Sequence, residues 1–244
     1  MKIILNGAGG RMGKAVCQQA ESGSRDDSIC AKIDKISPDI QLKSVSEYTE
    51  DADVIIDFSH HSATKELTDY AVSRNLPIVI CTTGQTDEDL ELIRKAAESV
   101  PVFFSANMSL GIAVLYNFAR RAAELFPDAD IEIVEAHHNR KLDAPSGTAK
   151  LLCDGICSVR PDAKPVYGRH GMAKREKNEI GMHSLRMGNE TGMHEVLIST
   201  DYQTLSLKHN AHSREVFAEG AISAARFICG KPAGLYDMQS ILGK

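Results

Sequence analysis

The sequence has no apolar run long enough to cross a membrane and no stretch dense in lysine and arginine. A membrane-spanning helix needs about 20 consecutive apolar residues, so no membrane partner is expected. The formal net charge is −5. Nucleic-acid binding usually depends on a basic face, so no nucleic-acid partner is expected either. The apolar run at residues 3–5 is too short for a secretory signal peptide, which predicts a cytoplasmic protein.

The sequence also lacks any C-x-x-C pair among its six cysteines, and that spacing is typical of redox and zinc sites. Most of the cysteines lie in apolar segments, which predicts reduced and mostly buried thiols. Two pairs keep metal binding open as an alternative: Cys153 with Cys157, one helical turn apart, and the adjacent His137 and His138. No carboxylate or thiol lies at a recognisable metal spacing from the histidine pair, so we expect no metal site.

Strand and helix signals alternate over the first hundred residues. Apolar runs without polar alternation predict strands at residues 2–6, 28–34, 53–59, 76–82 and 101–105. Apolar residues at helical spacing predict helices at residues 11–22, 62–74 and 86–98. Thr86 and Asp89 have the spacing of a capping box at the start of the third helix. Strands without alternation are covered on both faces, so the pattern predicts an α/β fold with a Rossmann-like, doubly wound parallel sheet.

The pattern changes beyond residue 107. Helices are predicted at residues 111–125 and 148–159. Strands with period-two alternation are predicted at residues 130–136, 183–187, 195–200 and 204–208. Such alternation is typical of a sheet with one face exposed or covered by an interface. The pattern therefore predicts a second α+β domain with a mixed or antiparallel sheet.

The first of these alternating strands carries both apolar and acidic residues. Successive side chains on a strand point to opposite faces of the sheet. Ile131, Ile133 and Ala136 are expected to face the core. Glu132 and Glu135 are expected to face away from it.

These patterns predict two domains. Residues 1–107 and 215–244 form the predicted dinucleotide-binding domain, and residues 108–214 form the predicted substrate-binding and oligomerisation domain. The tail from Gly234 onward is expected to pack back on the first domain. The stretch 160–179 is rich in proline, glycine and charge, and is predicted to be a loop.

A glycine-rich loop joins the first strand to the first helix. Gly7, Gly10 and Gly13 follow a G-x-x-G-x-x-G spacing, a variant of the dinucleotide-binding fingerprint. Glycines there allow a tight turn and let backbone N–H groups approach a pyrophosphate at the helix N-terminus. Asp34 ends the second strand and is expected to accept hydrogen bonds from the adenosine ribose, and Lys35 to meet a 2′-phosphate. The pattern predicts NADH or NADPH binding, with a purely structural glycine turn as the alternative.

Further cofactor residues are expected at the carboxyl ends of the strands, where ligands bind in such sheets. The loop contributes Gly7, Ala8, Gly9, Gly10, Arg11 and Met12. The ends of the fourth and fifth strands contribute Cys81, Thr82, Thr83, Ser105, Ala106, Asn107 and Met108. Small and polar residues there permit close backbone approach to a cofactor. Ordinary β-to-α loop chemistry is the alternative for these two strand ends.

The densest polar segment of the chain leads from a strand of the second domain into a helix. Histidine titrates near neutral pH, so His137 is the candidate proton donor. Lys141 adds a positive charge, and His138 can donate a hydrogen bond to a carboxylate. Gly147 and Thr148 lie at the start of the helix, where backbone N–H groups and the helix dipole favour an anion. The alternative is a solvated basic loop that caps a helix.

Six motifs together resemble the 4-hydroxy-tetrahydrodipicolinate reductase family, whose members are also called dihydrodipicolinate reductases. They are Gly-Ala-Gly-Gly-Arg-Met-Gly at residues 7–13, Asp-Phe-Ser at 57–59, Cys-Thr-Thr-Gly at 81–84, Ala-Asn-Met-Ser at 106–109, Glu-Ala-His-His-Asn-Arg-Lys-Leu-Asp-Ala-Pro-Ser-Gly-Thr-Ala at 135–149 and Tyr-Gly-Arg-His-Gly at 167–171. The fifth motif is highly specific, and the glycine loop is much less so. The resemblance runs nearly end to end.

The resemblance implies an oxidoreductase that uses NADH or NADPH to reduce 4-hydroxy-tetrahydrodipicolinate to tetrahydrodipicolinate with loss of water. The reaction is a step of lysine biosynthesis through diaminopimelate. The resemblance implies catalytic roles for His137 and Lys141, and binding of a small dicarboxylate substrate by His138, Gly147 and Thr148. It assigns the loop and strand-end residues named above to the cofactor. It also implies a homotetramer joined through the sheet of the second domain.

Three other functions remain open on the residues alone. Another two-domain NAD(P)-dependent dehydrogenase of amino-acid metabolism, of the aspartate or homoserine type, would share the glycine loop but not the His-His-x-x-Lys cluster. A non-catalytic dinucleotide sensor and a metallohydrolase are the other two. Two features depart from the family pattern and bear on cofactor preference: His61 replaces a proline, and the stretch 36–48 is short. His60 and His61 are interpreted as loop and cap residues.

Overall fold

The computed structural model describes residues 1–22 and 26–243. The chain divides into two compact units, Met1–Ser109 with Arg214–Lys244, and Leu110–Ser213. The predicted domain boundaries differ from this division by one or two residues, and the roles assigned to the two domains stay predictions. Residues 23–25 and 244 belong to the predicted ranges but lie outside the described residues.

Strands and helices alternate along much of the described chain. The strands are β1 (Lys2–Asn6), β2 (Ser28–Ile33), β3 (Val54–Asp57), β4 (Ile78–Ile80), β5 (Pro101–Phe104), β6 (Asp130–His137), β7 (Lys164–Tyr167), β8 (Glu179–Arg186), β9 (Met193–Ser199), β10 (Thr204–Asn210) and β11 (Gly234–Tyr236). The helices are α1 (Arg11–Ser22), α2 (Thr64–Arg74), α3 (Asp87–Ala97), α4 (Leu110–Leu125), α5 (Gly147–Cys157), α6 (Glu215–Ile228) and α7 (Met238–Ile241). Every helix and strand predicted from the sequence is present, with ends that differ by a few residues.

The first unit is built on a parallel sheet with the strand order β11-β5-β4-β3-β1-β2. On one face of the sheet, Ile4, Ile55 and Ile78 belong to a buried cluster that includes Leu67 of α2 and Ile93 of α3. On the other face, α6 contacts β3, β4 and β5. Helices therefore cover both faces, which explains why these strands lack polar alternation. The predicted Rossmann-like, doubly wound sheet is confirmed.

Two local predictions in the first unit are confirmed. The Thr86 hydroxyl accepts a hydrogen bond from Asp89 N, and the Asp89 carboxylate accepts one from Thr86 N, so the capping box is complete. The tail returns to the first unit as β11, which pairs in parallel with β5 at the edge of the sheet.

The second unit contains a mixed sheet with the strand order β10-β9-β6-β8-β7. The pairs of β8 with β6 and with β7 are parallel, and the pairs of β9 with β6 and with β10 are antiparallel. Helices α4 and α5 cover one face, where Ile131, Ile133 and Val196 pack in a buried cluster with Ile112 and Leu152. The other face carries no helix of this unit's described residues. The predicted α+β unit with a mixed sheet is confirmed.

The prediction of a loop over residues 160–179 is wrong in part, because this segment contains β7. The strand lies at the edge of the sheet and pairs only with β8. An edge strand tolerates proline, since one side of its backbone needs no partner strand. The residues of β7, which include Pro165, are mostly exposed and form no apolar pattern. The sequence therefore gives no signal that predicts this strand.

The prediction that Glu135 faces away from the core is also wrong. Its side chain is 1% exposed. Period-two alternation places residue 135 on the same face of β6 as Ile131 and Ile133, the face that α4 and α5 cover. The expected orientation fits Glu132, which is half-buried on the opposite face. Glu135 and His137 therefore share the helix-covered face at the end of β6.

Among the described residues, none of the helices combines the length and the apolar character that spanning a membrane requires.

Candidate active site

The glycine loop of the first unit is held against the neighbouring strands. Gly7 has a φ of +79°, and a Cβ at this position would lie 2.5 Å from Phe58 O. A Cβ at Gly13 would lie 2.2 Å from Gly7 O. The backbone N–H groups of Gly7 and Ala8 both donate to Ile33 O, at 2.9 and 3.1 Å. Only glycine fits at positions 7 and 13, and the loop leads directly into the N-terminus of α1, a favourable site for a pyrophosphate.

Asp34 lies at the end of β2, beside this loop. Its Oδ2 accepts a hydrogen bond from Gly9 N at 3.0 Å, and its Oδ1 accepts from Ile36 N and Ser37 N at 3.0 and 2.8 Å. Burial would raise the pKa of Asp34, but these backbone hydrogen bonds outweigh it and hold the pKa below its usual value. An ionised carboxylate at the end of the second strand can accept hydrogen bonds from ribose hydroxyls. Lys35 is exposed next to it.

Asp57, at the end of β3, is a buried residue to which the sequence interpretation gave no role. Its carboxylate accepts hydrogen bonds from Asn6 Nδ2 at 2.8 Å, Ser59 Oγ at 2.6 Å and Thr82 Oγ1 at 2.6 Å. Burial raises the pKa of Asp57, and the hydrogen bonds oppose that shift. The network joins the carboxyl ends of β1, β3 and β4. A carboxylate at the end of an otherwise apolar strand is the sequence signal that marks it.

The two other predicted strand ends have distinct environments. Cys81 is buried, and burial followed by the charge of Asp57 raises its thiol pKa well above the ordinary value, so it is a neutral thiol. A hydrogen bond of 2.7 Å from Ser105 Oγ to Asn107 O stabilises the loop after β5. A Cβ at Gly220 of α6 would lie 1.7 Å from Met108 O, so the backbone of this loop packs directly on α6. Thr83 and Ala106 are exposed.

The interpretation of His60 and His61 as loop and cap residues is confirmed. His60 Nδ1 accepts a hydrogen bond from Ser62 N at 3.2 Å and caps a short 3₁₀ turn. His61 Nδ1 lies 3.0 Å from Asp89 Oδ2. His61 therefore links this turn to the start of α3.

In the second unit, His137 forms a closely bonded group with two charged residues. His137 Nδ1 lies 2.5 Å from Glu135 Oε2. Arg186 of β8 donates to both oxygens of the same carboxylate, at 2.9 and 2.8 Å. Burial would raise the pKa of Glu135, but the hydrogen bonds from His137 and Arg186 outweigh it and hold the pKa well below its usual range. Glu135 is therefore an ionised acceptor inside the protein.

The same carboxylate is connected to the start of α5. Ser146 N donates to Glu135 Oε1 at 3.1 Å, and the Ser146 hydroxyl caps α5 by accepting from Ala149 N at 3.2 Å. His194 Nε2 lies 3.1 Å from Ser146 Oγ. The rings of His194 and His137 pack edge to face, with their centroids 5.1 Å apart. Burial, followed by the charge of His137, lowers the pKa of His194 to about 3, so this histidine is neutral.

The other predicted residues of this unit lie in the loop between β6 and α5 and in the first turn of α5. Lys141 Nζ lies 2.8 Å from Asp143 Oδ1, and its hydrogen bond and charge lower the pKa of Asp143. Gly147 and Thr148 are the first two residues of α5, and nothing lies within 4 Å of where a Cβ of Gly147 would be. His138 is half-buried directly after β6. Gly147 therefore leaves space beside the first turn of α5.

In the first unit a hydrogen bond joins Gly9 to Asp34, and in the second unit His137, Lys141, Gly147 and Thr148 follow one another along the segment from β6 to the start of α5. The sequence interpretation did not connect His137 with Glu135 and His194, which contact it, or with Arg186, which shares the Glu135 carboxylate. Among residues 1–22 and 26–243, no group of three histidine, cysteine, aspartate or glutamate side chains is arranged to hold a metal ion.

Comparison with known proteins covers nearly the whole chain. The family model described as dihydrodipicolinate reductase, N-terminus, matches residues 1–108, and the one described as dihydrodipicolinate reductase, C-terminus, matches residues 111–242. The 4-hydroxy-tetrahydrodipicolinate reductase of Clostridium novyi (strain NT) is 45% identical over 248 residues, which are 99% of this chain and 98% of that protein. The protein of the same name from Caldanaerobacter subterraneus subsp. tengcongensis is 41% identical over 249 residues, 100% of this chain and 99% of that protein.

Two solved structures are informative in different ways. A structure described as dipicolinate-bound dihydrodipicolinate reductase from Paenisporosarcina sp. TG-14 aligns with a TM-score of 0.79 at 25% identity, over 99% of both chains. The aspartate dehydrogenase of Thermotoga maritima aligns with a TM-score of 0.52 at 15% identity, over 95% of this chain and 98% of its own. The second likeness is one of fold alone.

Proposed function

The chain belongs to the dihydrodipicolinate reductase family, and we propose that it reduces 4-hydroxy-tetrahydrodipicolinate to tetrahydrodipicolinate, with loss of water, in the diaminopimelate route to lysine. The observation that carries the proposal is that one segment of the second unit supplies the acid His137, the cation Lys141 and the first turn of α5. These three groups suit the reduction of a substrate that carries two carboxylates. The alternative amino-acid dehydrogenase shares only the fold with this chain.

The first unit fits a nicotinamide cofactor, which supplies the hydride when bound. The close approach of backbone at Gly7 and Gly13 supports pyrophosphate binding at the N-terminus of α1. The ionised Asp34 supports binding of the adenosine ribose. The hydrogen bond from Thr82 to Asp57 fixes one of the strand ends assigned to the nicotinamide side. We propose that both NADH and NADPH are accepted, with Lys35 available to a 2′-phosphate.

The second unit supplies groups that suit a substrate with two carboxylates. Dipicolinate, bound in the solved relative, is such a molecule. Lys141 offers a positive charge, and the first turn of α5 offers backbone N–H groups at Gly147 and Thr148 together with the positive end of the helix dipole. His138 adds a hydrogen-bond donor. These groups offset carboxylate charges that would otherwise make binding unfavourable.

His137 is the acid of the proposed reaction. Hydride addition at the ring carbon conjugated to the imine moves negative charge toward the ring nitrogen, where a proton must neutralise it. A positioned acid of this kind contributes roughly 10²–10⁴ in rate. His137 transfers the proton and regains it from solvent.

The proposed reaction is tested in a coupled assay that makes the unstable substrate in situ and follows oxidation of NADH and NADPH side by side. We expect substrate-dependent oxidation of both cofactors. Binding of reduced cofactor without turnover would favour a dinucleotide sensor. Oxidation with aspartate or homoserine-type substrates, and none with the cyclic imine, would overturn the proposal.

Asp34→Ala is expected to weaken NADH binding about tenfold or more, because a hydrogen bond to a charged group contributes about 1.5–3 kcal/mol. NADPH binding should change much less, since a 2′-phosphate does not need this carboxylate. The variant also removes the hydrogen bond from Gly9 N, and that loss affects both cofactors equally. The ratio of the two KM values therefore isolates the ribose contact.

The matched control for this measurement is Asp39→Ala, which removes an exposed carboxylate of the same loop. It should leave the ratio unchanged. Equal losses of NADH and NADPH affinity in Asp34→Ala would show that Asp34 does not bind the ribose.

We propose a homotetramer that forms through the helix-free face of the second sheet. Leu185 is 45% exposed on that face, and Val134 and Leu197 lie half-buried beside it. Sedimentation velocity should give one species of four times the chain mass, and Leu185→Asp should dissociate it. A monomeric wild-type chain at micromolar concentration would overturn this assembly. The cytoplasmic location stays a prediction.

A further inference from the structure

The buried carboxylate of Glu135 lies next to the candidate acid and is no reactant in the proposed reaction. Glu135 lies on the helix-covered face of β6 and accepts hydrogen bonds from three different elements. The donors include His137 at the end of β6, Arg186 at the end of β8, and Ser146 N at the start of α5, and the Ser184 side chain of β8 also bonds to Glu135. A single ionised side chain therefore joins the acid, a fixed cation and the helix terminus assigned to the substrate.

The strand register explains why these groups meet. Residue 137 lies opposite Arg186 in the parallel pair of β6 and β8, and residue 135 lies opposite His194 in the antiparallel pair of β6 and β9. Residues 135 and 137 are two apart on one strand, so their side chains share a face. The positions of these groups follow from the sheet itself and do not depend on a loop conformation.

The hydrogen bond settles which nitrogen of His137 can deliver a proton. An ionised carboxylate only accepts hydrogen bonds, so Nδ1 of His137 carries the hydrogen that lies on Glu135 Oε2. The nitrogen left for exchange is Nε2. A Cβ at Gly192 would lie 3.2 Å from this Nε2, so the glycine leaves room beside it.

We propose that Glu135 is a positioning residue of the reaction: it fixes the His137 ring through Nδ1, directs Nε2 to deliver the proton, and stabilises the imidazolium that acts as the acid. This inference rests on the proposed function, in which His137 is the proton donor. The imidazolium releases the Nε2 proton to the substrate, and the N–H electron pair stays on Nε2. The neutral ring keeps its Nδ1–H on Glu135 and regains a proton at Nε2 from water.

The charges around His137 favour this role for Glu135. Arg186 donates to both oxygens of the carboxylate and helps to keep Glu135 ionised. His194 of β9 is neutral and adds no charge to the ring it faces. Lys141 of the β6–α5 loop and His209 of β10 also act electrostatically on His194. Glu135 is the only anion that touches the His137 ring among the described residues.

A purely structural role is the competing explanation, since the same carboxylate ties β6, β8 and α5 together. The two roles differ in the pH dependence of the rate. In general, an opposite charge within hydrogen-bond distance of an ionisable group moves the titration of that group by about one pH unit or more. If Glu135 stabilises the imidazolium, its neutralisation moves the alkaline limb of the kcat profile to lower pH. A structural tie alone would lower the whole profile without moving that limb.

The test is Glu135→Gln, which keeps the shape of the side chain and removes its charge. We expect the alkaline limb of kcat to move by about one pH unit or more toward acid, with a loss of about tenfold or more above the limb. KM for the substrate and the affinity for NADH should change little. Glu135→Asp keeps the charge and should restore the position of the limb at a reduced plateau. An unmoved limb in Glu135→Gln would overturn the proposal.

The matched control is Glu132→Gln on the opposite face of the same strand. Glu132 also pairs with a histidine and an arginine, since its carboxylate lies 2.8 Å from His183 Nε2 and 3.2 Å from Arg175 Nη1. Whatever this variant does to the plateau, its alkaline limb should stay at the wild-type position. A shift equal to that of Glu135→Gln would mean that any carboxylate of β6 that pairs with a histidine moves the profile, and would overturn the assignment.

A second measurement does not depend on activity. Histidine-selective ¹⁵N labelling and NMR should show His137 with its hydrogen on Nδ1 and with Nε2 as the titrating nitrogen. The His137 signal is identified by its loss in His137→Gln. The opposite tautomer in the wild type would overturn the proposal. If NMR gives the expected tautomer but His137→Gln stays fully active, the proposed proton donor is wrong while the positioning of its ring by Glu135 stands.

Discussion

His137→Gln is expected to lower kcat about 10²–10⁴-fold, the range that a positioned general acid contributes. Glutamine can still hydrogen bond to the Glu135 carboxylate, so the network of β6, β8 and α5 should persist. It cannot release a proton near neutral pH. The affinity for NADH, measured by fluorescence titration, should stay near the wild-type value, because the residues assigned to the cofactor lie in the other unit.

His183→Gln is the control that makes this loss specific. His183 of β8 also pairs with a glutamate, Glu132, but on the opposite face of the sheet. Its substitution should leave the pH dependence of kcat unchanged. A kcat of His137→Gln within about twofold of wild type would show that another group supplies the proton.

The apolar pattern was sufficient to predict the secondary structure of most of this chain. Strands buried on both faces, such as β3 and β4, leave a continuous apolar signal, and the period of 3.6 marks helices such as α3. The pattern failed at β7 because an edge strand buries little apolar surface. Proline and charge are tolerated there for the same reason.

The partners of His137 show what local sequence can and cannot reveal. The positions of Glu135 and His137, two apart on one strand, already indicate that both share the core face with Ile133. The prediction for Glu135 was wrong because it followed the usual exposure of an acidic residue instead of the strand period. Arg186 and His194 are different, because only the pairing of β6 with β8 and β9 brings them to the site. No motif in the sequence fixes that register.

Lys141→Ala is expected to lower kcat/KM about 10–100-fold, with a rise in KM as well as a fall in kcat, because the lost charge meets the substrate carboxylates in both the ground state and the transition state. The structure shows Lys141 paired with Asp143, whose side chain is 56% exposed. An exposed ion pair contributes little stability. Lys141 can therefore leave Asp143 for a substrate carboxylate at small cost, and steady-state kinetics of the variant measures what the substrate loses.

Asp143→Asn separates this role from a structural one. If Lys141 serves the substrate, removal of its surface partner frees the ammonium group, and KM should stay near wild type or fall. If the function of Lys141 is the ion pair itself, Asp143→Asn and Lys141→Ala should be equally impaired. Lys141→Arg keeps the charge and should recover most of the lost substrate binding. Unchanged KM and kcat in Lys141→Ala would show that Lys141 does not bind the substrate. The first turn of α5 and His138 would then be the remaining candidates for binding the carboxylates.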